Sequence, residues 1–336
     1  MNKNFFYKKK ILITGIDGFV GSNLAKKLVF VGAKVSGIIQ KKNKKSLFNY
    51  EKINKKCTLY KGDIYNNNFI RKIINNNKFE IIFHLAAQVE VGVANYDPFD
   101  TWESNIRGTY TILNNLVKNK NIKSVIVASS DKSYGEYPKK YLPYKESYLS
   151  KAIYPYDVSK ACADMISKSY SSKLFNLPII TTRFANIYGP GQLHFSALIP
   201  DIMKSLITGK KFIPRGNGND IRDYVFIDDI VDVYLILSKK LYKNPNLKGE
   251  VFNAGTNKQH KVREIVKKFY VINNQVKEYQ EILKKMKNKK TIGEINNQFM
   301  DYSKLKKFFG WKPKYDFNTT AKTTYEWYKE YFKKNS

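Results

Sequence analysis

Short apolar runs alternate with helix-length segments through the first half of this chain, and that alternation restricts the fold more than any other feature. Lys10-Ile11-Leu12-Ile13-Thr14 runs into Gly15, and Ser22 to Phe30 follows with helical apolar spacing at Leu24, Leu28 and Val29. Ala33 to Ile39, Cys57 to Tyr60, Ile81 to Leu85 and Ser124 to Ala128 are further strand-like runs. Strands separated by helices cannot be joined by hairpins; they pair in parallel through crossovers that cover both faces of the sheet. The expected fold class is α/β, a doubly wound parallel sheet.

After Ile179-Ile180-Thr181-Thr182 the pattern changes. Glycine and proline cluster at Gly189-Pro190-Gly191 and from Pro214 to Gly218, marking loops that leave the sheet. Val225-Phe226-Ile227 and Val251-Phe252-Asn253 read as short returns to it. The expected organisation is a dinucleotide-binding domain over 1–184 with returns near 222–253, and a smaller, discontinuous substrate lobe from 185–221 and 254–336. The charged stretch from Asn273 to Lys290 reads as a surface helix with a loose loop.

The net charge of +32 raises the question of nucleic acid, since a basic face attracts phosphate. The lysines are spread along the chain among Asn and Ile, as at Lys284, Lys285, Lys287, Lys289 and Lys290, which describes a compositional bias and not a binding stripe. No zinc-finger spacing or RNA-recognition aromatic motif accompanies them. No run approaches the ~18 apolar residues of a membrane span, and the lysine-rich start carries no signal-peptide pattern, so a cytoplasmic protein without a membrane or nucleic-acid partner is expected. Cys57 and Cys162 lie far apart with no metal-ligand spacing; they are expected to be inert, with no disulfide and no metal.

Gly15, Gly18 and Gly21 stand as G-x-x-G-x-x-G between the first strand and the first helix, with Asp17, Phe19 and Val20 between them. In that context the loop suits a pyrophosphate at a helix N-terminus, as in a Rossmann fold; the bland alternative is a tight turn that binds nothing. Asp63, followed by Ile64 just after the third strand, is placed to accept from an adenine amino group. The second strand ends in Gln40-Lys41-Lys42, without the Asp or Glu that accepts from a ribose diol, so both NAD and NADP stay open.

Tyr156 and Lys160 lie four residues apart, on one helix face. A phenol with an ordinary pKa near ~10 needs an adjacent cation to take a hydroxyl proton near neutral pH. Ser130, in Ala128-Ser129-Ser130-Asp131-Lys132, is placed to hydrogen-bond the same substrate oxygen.

With these segments on the page, the chain resembles an extended short-chain dehydrogenase/reductase of the nucleotide-sugar epimerase and dehydratase group, over nearly its full length. The resemblance is carried by the Gly15 loop, His84-Leu85-Ala86-Ala87-Gln88, Glu103 to Thr109, Ser130 to Gly135, Tyr156 to Lys160, Arg183 to Gly191, Ile221 to Asp229 and Gly310-Trp311-Lys312-Pro313. It implies that Leu85, Ala86, Ala87, Gln88, Asn105, Tyr156 and Lys160 also line the cofactor, with NAD slightly favoured. It further implies that Gln88, Ser130, Asn186 and Arg222 bind substrate, Asn186 at the diphosphate and Arg222 through its rigid fork on a phosphate. A homodimer is implied as well, through two helices per subunit; apolar spacing in Thr109 to Val117 and Ala161 to Tyr170 fits that, and fits packing on the protein's own sheet equally.

Within the group, Asp131-Lys132 after Ser130 resembles the CDP-glucose 4,6-dehydratases, which implies a nucleotide-sugar 4,6-dehydratase. In that reading Tyr156 removes the 4-hydroxyl proton, Lys132 the proton at C5, and Asp131 protonates the departing 6-hydroxyl. The alternatives are a C4-epimerase, which needs only Ser130, Tyr156 and Lys160, a strand-end ion pair of Asp131 with Lys132, and a non-catalytic dinucleotide-binding module.

Overall fold

The computed structural model describes residues 4–41, 45–287, 289 and 293–335, so Lys42 and Lys290 fall outside the described residues. The strands are β1 (Lys10–Thr14), β2 (Lys34–Ile39), β3 (Thr58–Lys61), β4 (Ile81–His84), β5 (Ser124–Ala128), β6 (Ile179–Phe184), β7 (Asn186–Tyr188), β8 (Ile221–Arg222), β9 (Tyr224–Phe226), β10 (Val251–Ala254) and β11 (His260–Lys261). Seven of them form one sheet in the order β10-β6-β5-β4-β1-β2-β3, every pair parallel. This is the Rossmann-type arrangement, with the order reversing between β1 and β4.

Strand periodicity divides the core in two. Ile11, Ile13, Ile81, Phe83 and Ile126 point into one apolar layer, and their neighbours Leu12, Ile82, Val125 and Val127 into the other. The first layer is closed by helices Phe19–Phe30 and Ile227–Lys243, through Leu24, Leu28, Ile230, Val233 and Leu237. The second is closed by helices Asn67–Asn76 and Gly108–Leu116, through Ile70, Ile73, Ile112, Leu113 and Leu116. Each fully buried aliphatic side chain of this kind contributes about 1.5–3 kcal/mol.

Val251-Phe252-Asn253 returns to the main sheet as expected, beside β6. Val225-Phe226-Ile227 does not. β9 pairs in parallel with β7 in a separate two-stranded ladder, and Ile227 opens a helix whose first turn carries Asp228 and Asp229. The cause is local: at Ala185 the chain leaves β6, and the Asn186 amide donates to the Asp223 carbonyl, so β9 is captured before it reaches the sheet. β8 pairs antiparallel with β11. The stretch after Asn273 contains helix Val276–Met286, which buries Tyr279, Ile282 and Met286. Among the described residues no helix is long and apolar enough to cross a membrane.

Ile82 is fully buried in the second layer. Ile82→Ala is expected to cost about 2–5 kcal/mol, read from the shift of the urea unfolding midpoint at unchanged slope.

Candidate active site

β1 ends in Gly15, whose φ of +67° lies in the left-handed region, and a Cβ there would stand 2.8 Å from the Ala86 Cα. A Cβ on Gly21 would stand 2.2 Å from the Gly15 carbonyl oxygen, so only glycine lets the first helix lie this close to the strand end. That helix starts after Gly18 with no capping side chain and no acidic residue in its first turn. Its opening amides are thus left for an anion. Burial raises the half-buried Asp17 carboxyl above its ordinary value.

Across the switch point, the Thr14 hydroxyl accepts from the amides of Leu85 and Ala86, at 3.1 Å each. Its own proton then goes to His84 Nδ1, 2.9 Å away, and His84 Nε2 donates to the Thr109 hydroxyl at 3.1 Å. Burial pushes His84 down to about 3, so the imidazole stays neutral. Leu85, Ala86, Ala87 and Gln88 are in this way suspended from β1, half-buried beside Gly15.

Asp63 follows β3 with its Oδ1 buried and without a protein partner, a vacant acceptor of the kind an adenine amino group fills. Ile64 is a core residue packed on Gly108, so its side chain faces the apolar layer. Gln40 is exposed just past β2. Asn105 stands beside the Gln88 loop. It is buried, exchanges hydrogen bonds with the Gln88 main chain at 2.8 and 2.9 Å, and donates to Ser159 Oγ at 2.9 Å. Its amide is used up tying the Gln88 loop to the helix that bears Tyr156.

That helix, Pro155–Ser171, begins with proline at its first position. Tyr156 is 8% exposed. Burial, then the neighbouring Asp131, raise its phenol above the ordinary value, and the nearby Ser130 pulls it downward. Burial pushes Lys160 down to about 8, against the upward pull of Asp164, whose carboxylate pairs with Arg183 at 2.5 Å. Lys160 Nζ donates to the Ala128 carbonyl at 3.2 Å and stands 5.9 Å from the Tyr156 ring centre. The cation expected to hold a phenolate is thus anchored to the end of β5.

Ser130 caps a single turn, Asp131–Tyr134, accepting from the Lys132 amide and donating to Asp131 Oδ1 at 3.0 Å. Burial raises the Asp131 carboxyl, with Lys132, Ser130 and Arg222 opposing, so this group holds a proton more readily than a free aspartic acid. Asp131 and Lys132 are not each other's partner: Ser130 takes the carboxyl and Gln298 the amine, at 3.5 Å. Asn186 opens β7 with its Nδ2 on the Asp223 carbonyl. The Arg222 fork is already engaged, with Nη1 on the carbonyls of Ile221 and Asn296 and Nη2 on Glu294 at 3.0 Å. β8 draws the guanidinium under the segment that carries Glu294 and Asn296, so a phosphate there shares it with Glu294.

With this geometry described, comparison with known proteins is decisive. The family model described as GDP-mannose 4,6 dehydratase matches residues 12–324. The chain belongs to this family. Within it, the chain is 26% identical to the CDP-glucose 4,6-dehydratase of Salmonella typhimurium over 99% of its length and 94% of the relative's. Its structure superposes on the dTDP-glucose 4,6-dehydratase of Bacillus anthracis, solved in complex with NAD, with a TM-score of 0.81 and 28% identity, covering 96% and 97% of the two chains. It also superposes on the UDP-glucose 4-epimerase of Thermotoga maritima, with a TM-score of 0.79 and 27% identity over 97% and 99%.

Three charged or polar residues that sequence reasoning passed over stand in this family member's site. Asp157 is 2% exposed, and its carboxyl is pushed up to about 7 by burial, with Asp131 and Glu294 adding to the effect against Lys132 and Arg222. Glu294 and Gln298 come from a segment with no local signature; Asp157 was legible from its place beside Tyr156 in the first helical turn. A carboxyl whose folded pKa exceeds its ordinary 3.8 costs stability at high pH, and the cost disappears as pH falls below both values. Asp157→Asn is therefore expected to raise Tm by on the order of 2 °C at about pH 8, with the gain shrinking toward about pH 4, followed by differential scanning fluorimetry.

Proposed function

We propose that this chain is a nucleotide-sugar 4,6-dehydratase that converts an NDP-hexose into water and an NDP-4-keto-6-deoxy-hexose. The observation that carries this reading is the grouping of Tyr156, Ser130 and Asp131, in which Ser130 donates to the buried Asp131 carboxyl, with the Lys132 amine on the same turn. It brings together a base for the 4-hydroxyl, a buried carboxyl raised above its ordinary value to serve as the acid, and a second base. A C4-epimerase needs only Ser130, Tyr156 and Lys160, and gives no reason for a buried carboxyl at Asp131 beside them.

The dinucleotide site fits NAD or NADP: uncapped amides after Gly18, the close approach at Gly21, and the vacant Asp63 acceptor. Held there by the Gly15 loop and Ala86 to Gln88, the nicotinamide would supply the hydride acceptor and donor that the redox steps at C4 and C6 require. The Bacillus anthracis relative was solved with NAD, which favours NAD here. Gly15, Gly18, Gly21, Asp63 and Ala86 to Gln88 hold the dinucleotide. Asn186 and Arg222, the latter shared with Glu294, receive the diphosphate, in a substrate lobe made of 185–221 and 254–336.

In the reaction Tyr156 takes the 4-hydroxyl proton, assisted by Ser130. Oxidation at C4 acidifies the C5 proton, which Lys132 removes. Asp131 gives its proton to the 6-hydroxyl, which leaves as water. Tyr156→Phe is expected to lower turnover by about 10²–10⁴. Asp131→Asn is expected to lower water loss by a similar factor while C4 oxidation persists. Purified protein with a panel of NDP-hexoses, followed by mass spectrometry and proton NMR, checks both. An intact product yield from Asp131→Asn, or an inverted C4 with unchanged mass from the wild type, would overturn the reading.

A second copy of the chain is the partner this reading takes. Helix Gly108–Leu116 turns Ile112, Leu113 and Leu116 to its own sheet and leaves Tyr110 outside. Exposed Tyr96 and Trp102 sit on short helices that pack, as this one does, against the Tyr156 helix, which carries Met165, 70% exposed. Met165→Glu is expected to convert a dimer into a monomer in sedimentation velocity; a wild type that sediments as a monomer sinks the assignment.

A further inference from the structure

Gln298 reaches the site from 166 residues beyond Lys132 and is 1% exposed. Its main chain is fixed on both sides. The Gln298 amide donates to the Ile221 carbonyl at 2.9 Å, the Phe299 carbonyl accepts from the Tyr144 amide at 3.0 Å, and the Met300 amide donates to Asp223 at 3.3 Å. The carboxamide oxygen receives Lys132 Nζ at 3.5 Å, while Nε2 is buried without a partner. An unpaired buried N–H costs stability, and a leucine of similar volume would not incur it. The side chain is therefore explained by its oxygen.

We propose that Gln298 is a positioning residue for proton removal at C5, an uncharged acceptor that holds the Lys132 amine in place without locking a proton onto it. The proposal rests on the dehydratase reading. In the step it serves, the Lys132 lone pair takes the C5 proton and the C5–H electron pair becomes the C5=C6 double bond. The C6–O bond breaks with its pair on oxygen, which takes the Asp131 proton and departs as water. A carboxylate in place of the carboxamide would stabilise the ammonium, and an ammonium accepts no proton. The charged groups around this point are Asp131 on the same turn, Asp157 on the Tyr156 helix, Arg222 on β8 and Glu294 on the segment of Gln298 itself. None of them is placed on the Lys132 amine by a hydrogen bond, which leaves that role to Gln298.

The test compares wild-type holoenzyme with Gln298→Glu and Gln298→Leu on an NDP-hexose that the wild type dehydrates. For Gln298→Glu, water loss falls about tenfold or more at neutral pH, KM stays within about twofold, and the deficit against wild type narrows as pH rises. C4 oxidation continues, so the near-ultraviolet absorbance of reduced nicotinamide builds up. Gln298→Leu shows a comparable loss at every pH with a Tm at or above that of wild type. Wild-type kcat in Gln298→Leu overturns the proposal. So does a parallel loss of C4 oxidation and elimination together with a lowered Tm, which is the behaviour of a purely structural residue. A wild type that dehydrates no hexose overturns the dehydratase reading, and the proposal with it.

Discussion

Parallel pairing brings the carboxyl ends of β1, β4, β5 and β6 to one edge of the sheet, and the groups that make the site hang from that edge. Gly15 follows β1, Leu85 to Gln88 follow β4, Ser129 to Lys132 follow β5, and Asn186 follows β6. The edge is held together by one buried relay, Thr14 to His84 to Thr109, which spans strand ends and the neighbouring helix. Because its imidazole is neutral, the relay keeps the same hydrogen bonds across the range in which the enzyme's acids and bases titrate. The frame is thereby insulated from the chemistry performed on it.

The other side of the site is a concentration of buried charge. Asp131, Asp157 and Lys160 are each removed from water, and burial moves each toward its neutral form. Such groups are costly as structural elements and suited to proton transfer. Arg222 meets them with its Nη1 on two carbonyls and its Nη2 on Glu294. Lys132 stands among them with carboxyls as neighbours and a carboxamide as its hydrogen-bonding partner.

What was legible in the sequence was short-range. The Gly15 loop, the Ser130 turn and the Tyr156 helix each declare themselves within a few residues, and strand alternation ordered them into a parallel sheet. Pairing partners were less legible: Val225-Phe226-Ile227 is as apolar as a main-sheet strand, and only the capture of Asn186 by Asp223 sends it elsewhere. The state of each donor was less legible still. That Lys160 donates to Ala128, that Asn105 serves the Gln88 loop and that Arg222 is occupied depends on which groups are left over once the chain is packed. Gln298 and Glu294 lie in a stretch with no motif of its own, and their place emerges from the ladder formed with β8 and Tyr144.

The crossing of that late segment over the site sets an order of assembly. During synthesis the β1 to β6 edge emerges before residues 294–301, so Glu294 and Gln298 are the last of these groups to be made, and the chain up to that point has Lys132 without its carboxamide and Arg222 without its carboxylate.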